Sequence, residues 1–331
     1  MTMILITNLE ADPSVVTAVR ALIAAAQRVL IITHLSPDGD AVGSTLGLGW
    51  ALRALGKDVV FACVDPIPEA LHFLPGASEF TAHPEGAFDL IAVVDVSEAP
   101  RMGALNERLP SIPQLVFDHH ITNPGFGEYN FIDATKASTT ELIALWLEPL
   151  GLSLDRVVAE CLLTGLVTDT LGFRTPNTTA GTFAVAQRLI EVGVDLARVY
   201  DLGFYKRSFD SIRFWARGLH QVKLDNGLIW TSLTLAARKA VGIGGNGDAD
   251  LINVLASVRE ARVAVIFVER PENKVKVSWR SDGTINVAAV AQQFGGGGHY
   301  AAAGAEITGG LAETEARVIA ATKSALAQTP S

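Results

Sequence analysis

Residues 28–40 read RVLIITHLSPDGD, and this stretch decides the fold. Residues 28–33 form a short, mostly apolar run of the kind found in a strand buried on both faces of a parallel sheet. The run breaks at His34 into the polar loop HLSPDGD, and residues 41–55 then read as a small-residue, apolar helix. Working outward, residues 16–27 have a helical pattern and residues 57–63 are the next strand candidate. Residues 89–94 (DLIAVV) form another strand, ending on Asp95, and residues 114–117 (QLVF) a fourth, ending on Asp118. Helices over 139–147 and about 156–167 follow, the second leading into the loop TDTLGFR that holds Asp169. Strands alternating with helices predict an α/β domain: a mostly parallel sheet with helices on both faces.

The pattern changes after about residue 205. Residues 205–220 (YKRSFDSIRFWARGLH) read as a connecting helix. Asp225-Asn226-Gly227 between two apolar runs is a hairpin signal, and residues 262–268 and 274–279 form a second hairpin around ERPEN. A Gly-rich loop and a final helix over 312–327 close the chain. The expected organisation is a catalytic domain over 1–205, a linker helix over 206–220 and a smaller α+β domain over 221–331. A length of 331 residues fits two domains.

Composition narrows the function classes. With 49% hydrophobic and 18% charged residues the chain can bury sizeable cores. A net charge of -9 excludes a broad basic face for long duplex nucleic acid. Cys63 and Cys161 lie among apolar residues and read as unpaired thiols of a reducing compartment. No apolar stretch is long enough to span a bilayer, so the expectation is a soluble, cytoplasmic protein without a membrane partner.

In open α/β sheets, functional groups gather beyond the carboxyl ends of the strands. Here those positions carry His34, Asp38 and Asp40, then Asp95, then Asp118, His119 and His120, with Asp169 in a later loop. A Pro-Asp-Gly-Asp loop alone is a tight turn, and a lone Asp after a strand caps a helix. Their coincidence at successive strand ends is what those readings leave unexplained. Carboxylates crowded on one rim raise each other's pKa unless cations neutralise them. Mixed carboxylate and imidazole ligation suits Mn²⁺ or a similar first-row metal better than Ca²⁺.

HLSPDGDAVGS, VVDVS, FDHH and GLVTDTLGF, in this order, resemble the four motifs of the DHH phosphoesterase superfamily. The tail SWRSDGTINVAAVAQQFGGGGHYAAAG resembles the signature of its DHH-associated C-terminal domain. The layout is similar to the bacterial oligoribonuclease and pAp-phosphatase subfamily, and the resemblance covers nearly the whole chain.

The resemblance implies two divalent cations, Mn²⁺ or in its place Mg²⁺. His34, Asp38 and Asp95 would hold one; Asp40, Asp95, His119 and Asp169 the other, with Asp95 bridging. The implied nucleophile is a hydroxide activated by both metals. Asp118 would orient a histidine, and His120 would face the substrate phosphate. Arg280, Ser281, Gly296, Gly297, Gly298 and His299 would bind substrate from the second domain; glycines let backbone N–H groups approach phosphate oxygens, and an Arg fork matches phosphate geometry. The implied substrates are short oligoribonucleotides, pApA-type dinucleotides and pAp, and the implied assembly is a homodimer.

Two alternatives share these residues: a cyclic di-AMP phosphodiesterase, and a nucleotide sensor that binds without cutting. The presence of every expected ligand argues against the sensor. A family II pyrophosphatase would bind through basic residues where this chain has the Gly-rich His299 loop, and the short, acidic chain, with no extra nucleic-acid-binding domain in view, disfavours a RecJ-type exonuclease. Residues 242–247 match G-x-G-x-x-G but follow a predicted helix, where a dinucleotide fingerprint follows a strand.

Overall fold

The computed structural model describes residues 3–6, 12–245 and 247–328. The chain divides into two compact units, Met1–Lys206 and Arg207–Ser331.

The first unit is built on six strands: β1 (Ile4–Ile6), β2 (Arg28–Ile32), β3 (Asp58–Ala62), β4 (Leu90–Val94), β5 (Leu115–Asp118) and β6 (Tyr129–Ile132). They form one sheet in the order β1-β6-β5-β4-β2-β3, and every pairing is parallel. Its helices are α1 (Pro13–Ala25), α2 (Gly39–Ala54), α3 (Ala104–Arg108), α4 (Thr139–Trp146), α5 (Arg156–Asp169), α6 (Ala180–Glu191) and α7 (Leu196–Tyr200). One face of the sheet packs Val29, Ile31, Ala92, Val94, Phe117 and Phe131 into the large core shared with these helices. The other face buries Leu30, Ile32, Ile91, Val93 and Val116 with Met102 and Leu105. Burial on both sides accounts for the unalternating apolar strands.

The central contact on the helical layer joins α2 to α5. Gly39, Gly43 and Gly47 recur at every fourth position of α2, so they share one face. A Cβ on Gly43 would lie 2.5 Å from the carbonyl oxygen of Cys161 and 3.0 Å from the amide of Gly165. A Cβ on Gly39 would overlap Thr168, and one on Gly47 would overlap Leu162. The α2 backbone therefore lies directly on α5, which explains a small-residue helix that is buried almost all round.

Two expectations are corrected. Asp169 is the last residue of α5 rather than a loop residue. The sheet also gains β1 and β6, which the sequence reading left unassigned. β6 hides a buried Asn130, which donates to the carbonyls of Ile4 and Gly127 and accepts from Gly127; a polar residue in a strand of four broke the apolar pattern.

The second unit contains α8 (Phe209–Leu219), β7 (Lys223–Asp225), β8 (Leu228–Leu233), α9 (Leu235–Val241), α10 (Leu251–Leu255), β9 (Val263–Arg270), β10 (Lys274–Ser281), α11 (Val287–Gln292), β11 (Gly297–His299), β12 (Ala302–Thr308) and α12 (Leu311–Ala327). Its sheet has the order β11-β12-β10-β9-β8-β7; only the β8–β9 pair is parallel. The hairpin turn has Asn226 at φ 47° and Gly227 at φ 82°, as a two-residue primed turn requires. Helix α8, expected as a connector, buries Phe214 in a core with Ile229, Leu251 and Ile266. The Gly-rich stretch read as a loop is partly strand β11, and the small residues after it begin β12.

The α2–α5 seam yields a direct test. Alanine is the better helix former by about 1 kcal/mol. Gly43→Ala should nevertheless destabilise the protein by about 1–3 kcal/mol, because the methyl meets backbone that cannot yield without separating the helices. Urea unfolding of the purified variant checks this; unchanged or raised stability would contradict the close contact.

Candidate metal centre

Strands β5, β4 and β2 are neighbours in a parallel sheet, so their carboxyl ends lie along one edge. Each delivers part of the site. His34 follows β2, Asp95 follows β4, and Asp118 ends β5 ahead of His119 and His120. Because β4 is the middle strand, Asp95 sits at the centre. Its backbone is left-handed, at φ 57°, a conformation Asp tolerates better than most residues. Its amide donates to the carbonyl of Phe117 at 2.9 Å. Strain of this kind concentrates at functional sites.

Helices supply the rest. Asp38 caps α2, its Oδ1 accepting from the amides of Asp40 and Ala41, both at 3.0 Å. Asp40, in the first turn of α2, reaches the start of α4. Its Oδ2 accepts from the Thr139 amide at 2.6 Å, and its Oδ1 from the Thr140 amide at 2.9 Å and hydroxyl at 2.7 Å. The Thr139 hydroxyl donates to Asp95 Oδ1 at 2.9 Å. Asp169 arrives from the end of α5, and the close α2–α5 contact carries it toward Asp40.

Three groups of ligand-type atoms result, each with its atoms within 4.8 Å of one another: His34, Asp38 and Asp95; Asp40, His119 and Asp169; and Asp95, His119 and His120. His34 Nε2 lies 3.4 Å from Asp95 Oδ2, His119 Nε2 lies 3.5 Å from Asp169 Oδ2, and the same nitrogen lies 3.9 Å from Asp95 Oδ1. All six residues expected as ligands thus come together, with Asp95 beside both sets. The Nδ1 of His34 is 2.8 Å from the Leu35 carbonyl, and the Nδ1 of His119 is 3.3 Å from the Lys136 carbonyl. A proton on each Nδ1 satisfies those oxygens, so with a cation bound each Nε2 would give up its proton and offer the lone pair a metal ligand needs.

The charges are unevenly settled. Burial and the neighbouring charge of Asp95 push Asp40 up to about 7. Asp169 rises well above the carboxylate range through burial and the charges of Asp40, Asp38 and Asp95. Burial also opposes ionisation of Asp95, but the hydrogen bond from His34 and the rings of His120, His34 and His119 outweigh it and hold Asp95 ionised. Burial lowers the three imidazoles, and the carboxylates around them more than reverse it. Two carboxyls that resist ionising, two imidazoles presenting Nε2 and a central carboxylate fit divalent cations, which would compensate the repulsion.

Asp118 is fully buried and stands behind His120. Its Oδ1 is 2.7 Å from His120 Nδ1, and its Oδ2 accepts from Asn123 Nδ2 at 2.7 Å. It fixes the His120 ring through Nδ1.

In the second unit, β10 ends with Arg280 and Ser281. Ala302 pairs with both Arg280 and His299, so the three lie in one row across β10, β12 and β11. Arg280 donates to the carbonyl of Trp279 at 3.0 Å. The Ser281 hydroxyl donates to the Ile285 carbonyl at 2.8 Å and accepts from the Gly283 amide at 3.4 Å, so it shapes the following turn. Gly297 is open on its Cβ side. Gly296 and Gly298 instead pack against β12: a Cβ on Gly296 would lie 2.2 Å from the Gly304 carbonyl, and one on Gly298 2.4 Å from that of Ala302. Close strand approach, in addition to any ligand, demands those glycines.

The sequence reading missed Thr139, Thr140 and Asn123, whose donors fix Asp40, Asp95 and Asp118. The signal for the threonines was present in Ser138-Thr-Thr-Glu141, a helix-start pattern. Ser138 Oγ accepts from the Glu141 amide at 3.0 Å. Residues 242–247 follow α9, as expected of a decoy; Arg238 donates to the carbonyls of Gly244 and Gly245.

The DHH family N-terminal domain matches residues 28–166 and the DHHA1 domain residues 243–328. The chain is 36% identical over 290 residues to the bifunctional oligoribonuclease and PAP phosphatase NrnA of Thermus thermophilus, covering 85% of this chain and 84% of that one. It is 29% identical over 286 residues to the protein of the same name from Bacillus subtilis, covering 84% and 89%. A cyclic-di-AMP phosphodiesterase, GdpP, from Geobacillus thermodenitrificans is 28% identical over 91% of this chain but only 48% of its own length. Among solved structures, an exopolyphosphatase-related protein from Bacteroides fragilis has a TM-score of 0.85 at 23% identity, covering 97% and 98%, and so shares the fold. The chain belongs to the DHH family of phosphoesterases, with a DHH domain followed by a DHHA1 domain.

Proposed function

We propose that this protein hydrolyses short oligoribonucleotides and pApA-type dinucleotides to mononucleotides, and pAp to AMP. The observation that carries the reading is the convergence of His34, Asp38, Asp40, Asp95, His119 and Asp169 around one central carboxylate. The 36% identity to an NrnA along most of both chains supports the substrate class. Two ions, Mn²⁺ or in its place Mg²⁺, would be held by His34, Asp38 and Asp95 and by Asp40, Asp95, His119 and Asp169. When bound, such ions act as Lewis acids toward a phosphoryl oxygen and toward water.

The remaining roles belong to the chain. Thr139 and Thr140 hold Asp40 and Asp95 in fixed orientations, so the ligand set is assembled before substrate arrives. Asp118 holds the Nδ1 proton of His120, and the carboxylates nearby favour the imidazolium. His120 then offers its Nε2 proton to the leaving oxygen or to the phosphate. Arg280 and the open backbone at Gly297 would bind substrate phosphate on the second unit, with Ser281, Gly296, Gly298 and His299 shaping that surface. The two free cysteines are buried, and no helix among the described residues is long and apolar enough to cross a membrane; both suit a cytoplasmic enzyme.

Three measurements test this reading. With Mn²⁺, the purified protein should release AMP from pApA and pAp, stop on chelation, and act weakly on a long single strand; turnover confined to cyclic di-AMP would favour the GdpP-like reading instead. Asp169→Asn and Asp95→Asn should both reduce kcat at least 100-fold, yet they should diverge in stability without metal. The raised Asp169 binds its proton more tightly folded than unfolded, so its ionisation weakens the fold as pH rises through that range. Asp169→Asn should therefore raise the melting temperature of chelator-treated protein at pH 7.5, while Asp95→Asn, losing a carboxylate stabilised by three histidines, should lower it; the opposite order would contradict the charge assignment. Arg280→Ala should raise KM for pApA about 10-fold, in line with loss of a charged hydrogen bond, without loss of bound metal measured by elemental analysis.

A further inference from the structure

The segment that follows Asp169 carries backbone strain that the metal centre does not require. Leu171, Gly172 and Phe173 are all left-handed, at φ 49°, 74° and 64°. Two of the three have bulky side chains, for which this region is a genuine outlier. The turn is nevertheless tightly held. Gly172 donates to the carbonyl of Val167 at 2.8 Å, Arg174 to that of Thr170 at 2.8 Å, and the Phe173 amide to the Thr170 hydroxyl at 2.9 Å. Thr170 is itself buried and donates to the Leu166 carbonyl at 2.6 Å. The strained residues are thus folded back against the helix end that carries Asp169.

The turn presents an aromatic surface. The Phe173 ring stacks on Phe183 of α6 with centroids 5.0 Å apart and an interplanar angle of 29°. Phe173 is partly buried against the core, whereas Phe183 is 55% exposed. An open phenyl ring backed by a second ring is a prepared stacking surface, since its orientation is fixed before anything lands on it. Arg174, next in sequence, is exposed, and its side chain makes no hydrogen bond or ion pair with any described residue. A guanidinium beside an aromatic surface stacks on bases or pairs with phosphate.

We propose that Phe183, backed by Phe173 and flanked by Arg174, is a nucleobase-stacking platform next to the turn that follows Asp169. The inference rests on the nucleotide-hydrolase reading and adds to it a subsite on the first unit. Every base has a π face, so such a platform accepts all four bases and favours purines, whose faces are larger. It would grip the nucleoside while cations held by the aspartate and histidine cluster neutralise its phosphate. Helix α6 carries Phe183, and the strained turn after Asp169 holds Phe173 against that ring.

Equilibrium binding separates the platform from catalysis. Isothermal titration calorimetry in Mn²⁺ compares AMP with ribose 5-phosphate, which has the phosphate and sugar but no base. The wild-type protein should bind AMP about 10-fold more tightly than ribose 5-phosphate, the range expected of one stacked base. Phe183→Ala should erase that ratio by weakening AMP alone, and Phe183→Trp should retain it. Equal wild-type affinities, or a ratio that survives Phe183→Ala, would overturn the proposal. Hydrolysis of pAp by the same preparation reports on the enzyme reading separately: a preserved AMP preference without turnover would sustain the platform and refute the hydrolase.

Discussion

Four aspartates share one end of a parallel sheet, and the fold of the first unit is organised around that crowding. Like charges at this separation raise one another's pKa. The structure distributes the cost unequally. Asp95 takes the centre and is neutralised by His34, His119 and His120, while Asp40 and Asp169 hold their protons far above the usual range. The site is thus asymmetric before any cation arrives: one carboxylate is committed to the charged form, and two await a counter-charge.

Bringing the four together takes geometry that local sequence does not supply. His34, Asp95 and Asp118 need only three adjacent parallel strands. Asp40 and Asp169 need two helices in backbone contact, which Gly39, Gly43 and Gly165 permit. A Cβ on Gly165 would lie 2.4 Å from Thr140 and 3.0 Å from the Asp40 carboxylate itself. The glycines of α2 and α5 therefore act on the chemistry indirectly. They set the separation of ligands that neither helix positions alone.

Four strands of the first sheet and the residues that gather at their ends were legible in the sequence, because apolar runs ending in His or Asp state both facts at once. It concealed what depends on contact at long range. β1 and β6 are short, and Asn130 breaks the apolar pattern of β6 in order to satisfy the Gly127 turn and the carbonyl of Ile4. Thr139 and Thr140 look like helix-start residues, which they are; their second duty toward Asp40 and Asp95 appears only when residues 100 and 44 positions apart meet. In the second unit, GGGGH and AAAG suggest a ligand loop, whereas Gly296 and Gly298 are also required by the pairing of β11 with β12.

The double duty at α4 limits any clean division into structural and catalytic residues. A helix leaves its first amides without partners. In α4 the amides of Thr139 and Thr140 donate to Asp40, so the carboxylate caps that helix across the core. The favourable interaction of an anion with a helix N-terminus then offsets part of the burial that raises Asp40. Removing Asp40 would strip α4 of these acceptors as well as a ligand, and loss of activity would not distinguish the two. Asp169 is different: it stands at the C-terminal end of α5, where a negative charge is unfavourable, and among the described residues no hydrogen bond from a helix start offsets it. Of the two raised carboxyls, one is built into the fold and the other is held there against the electrostatics of its own helix.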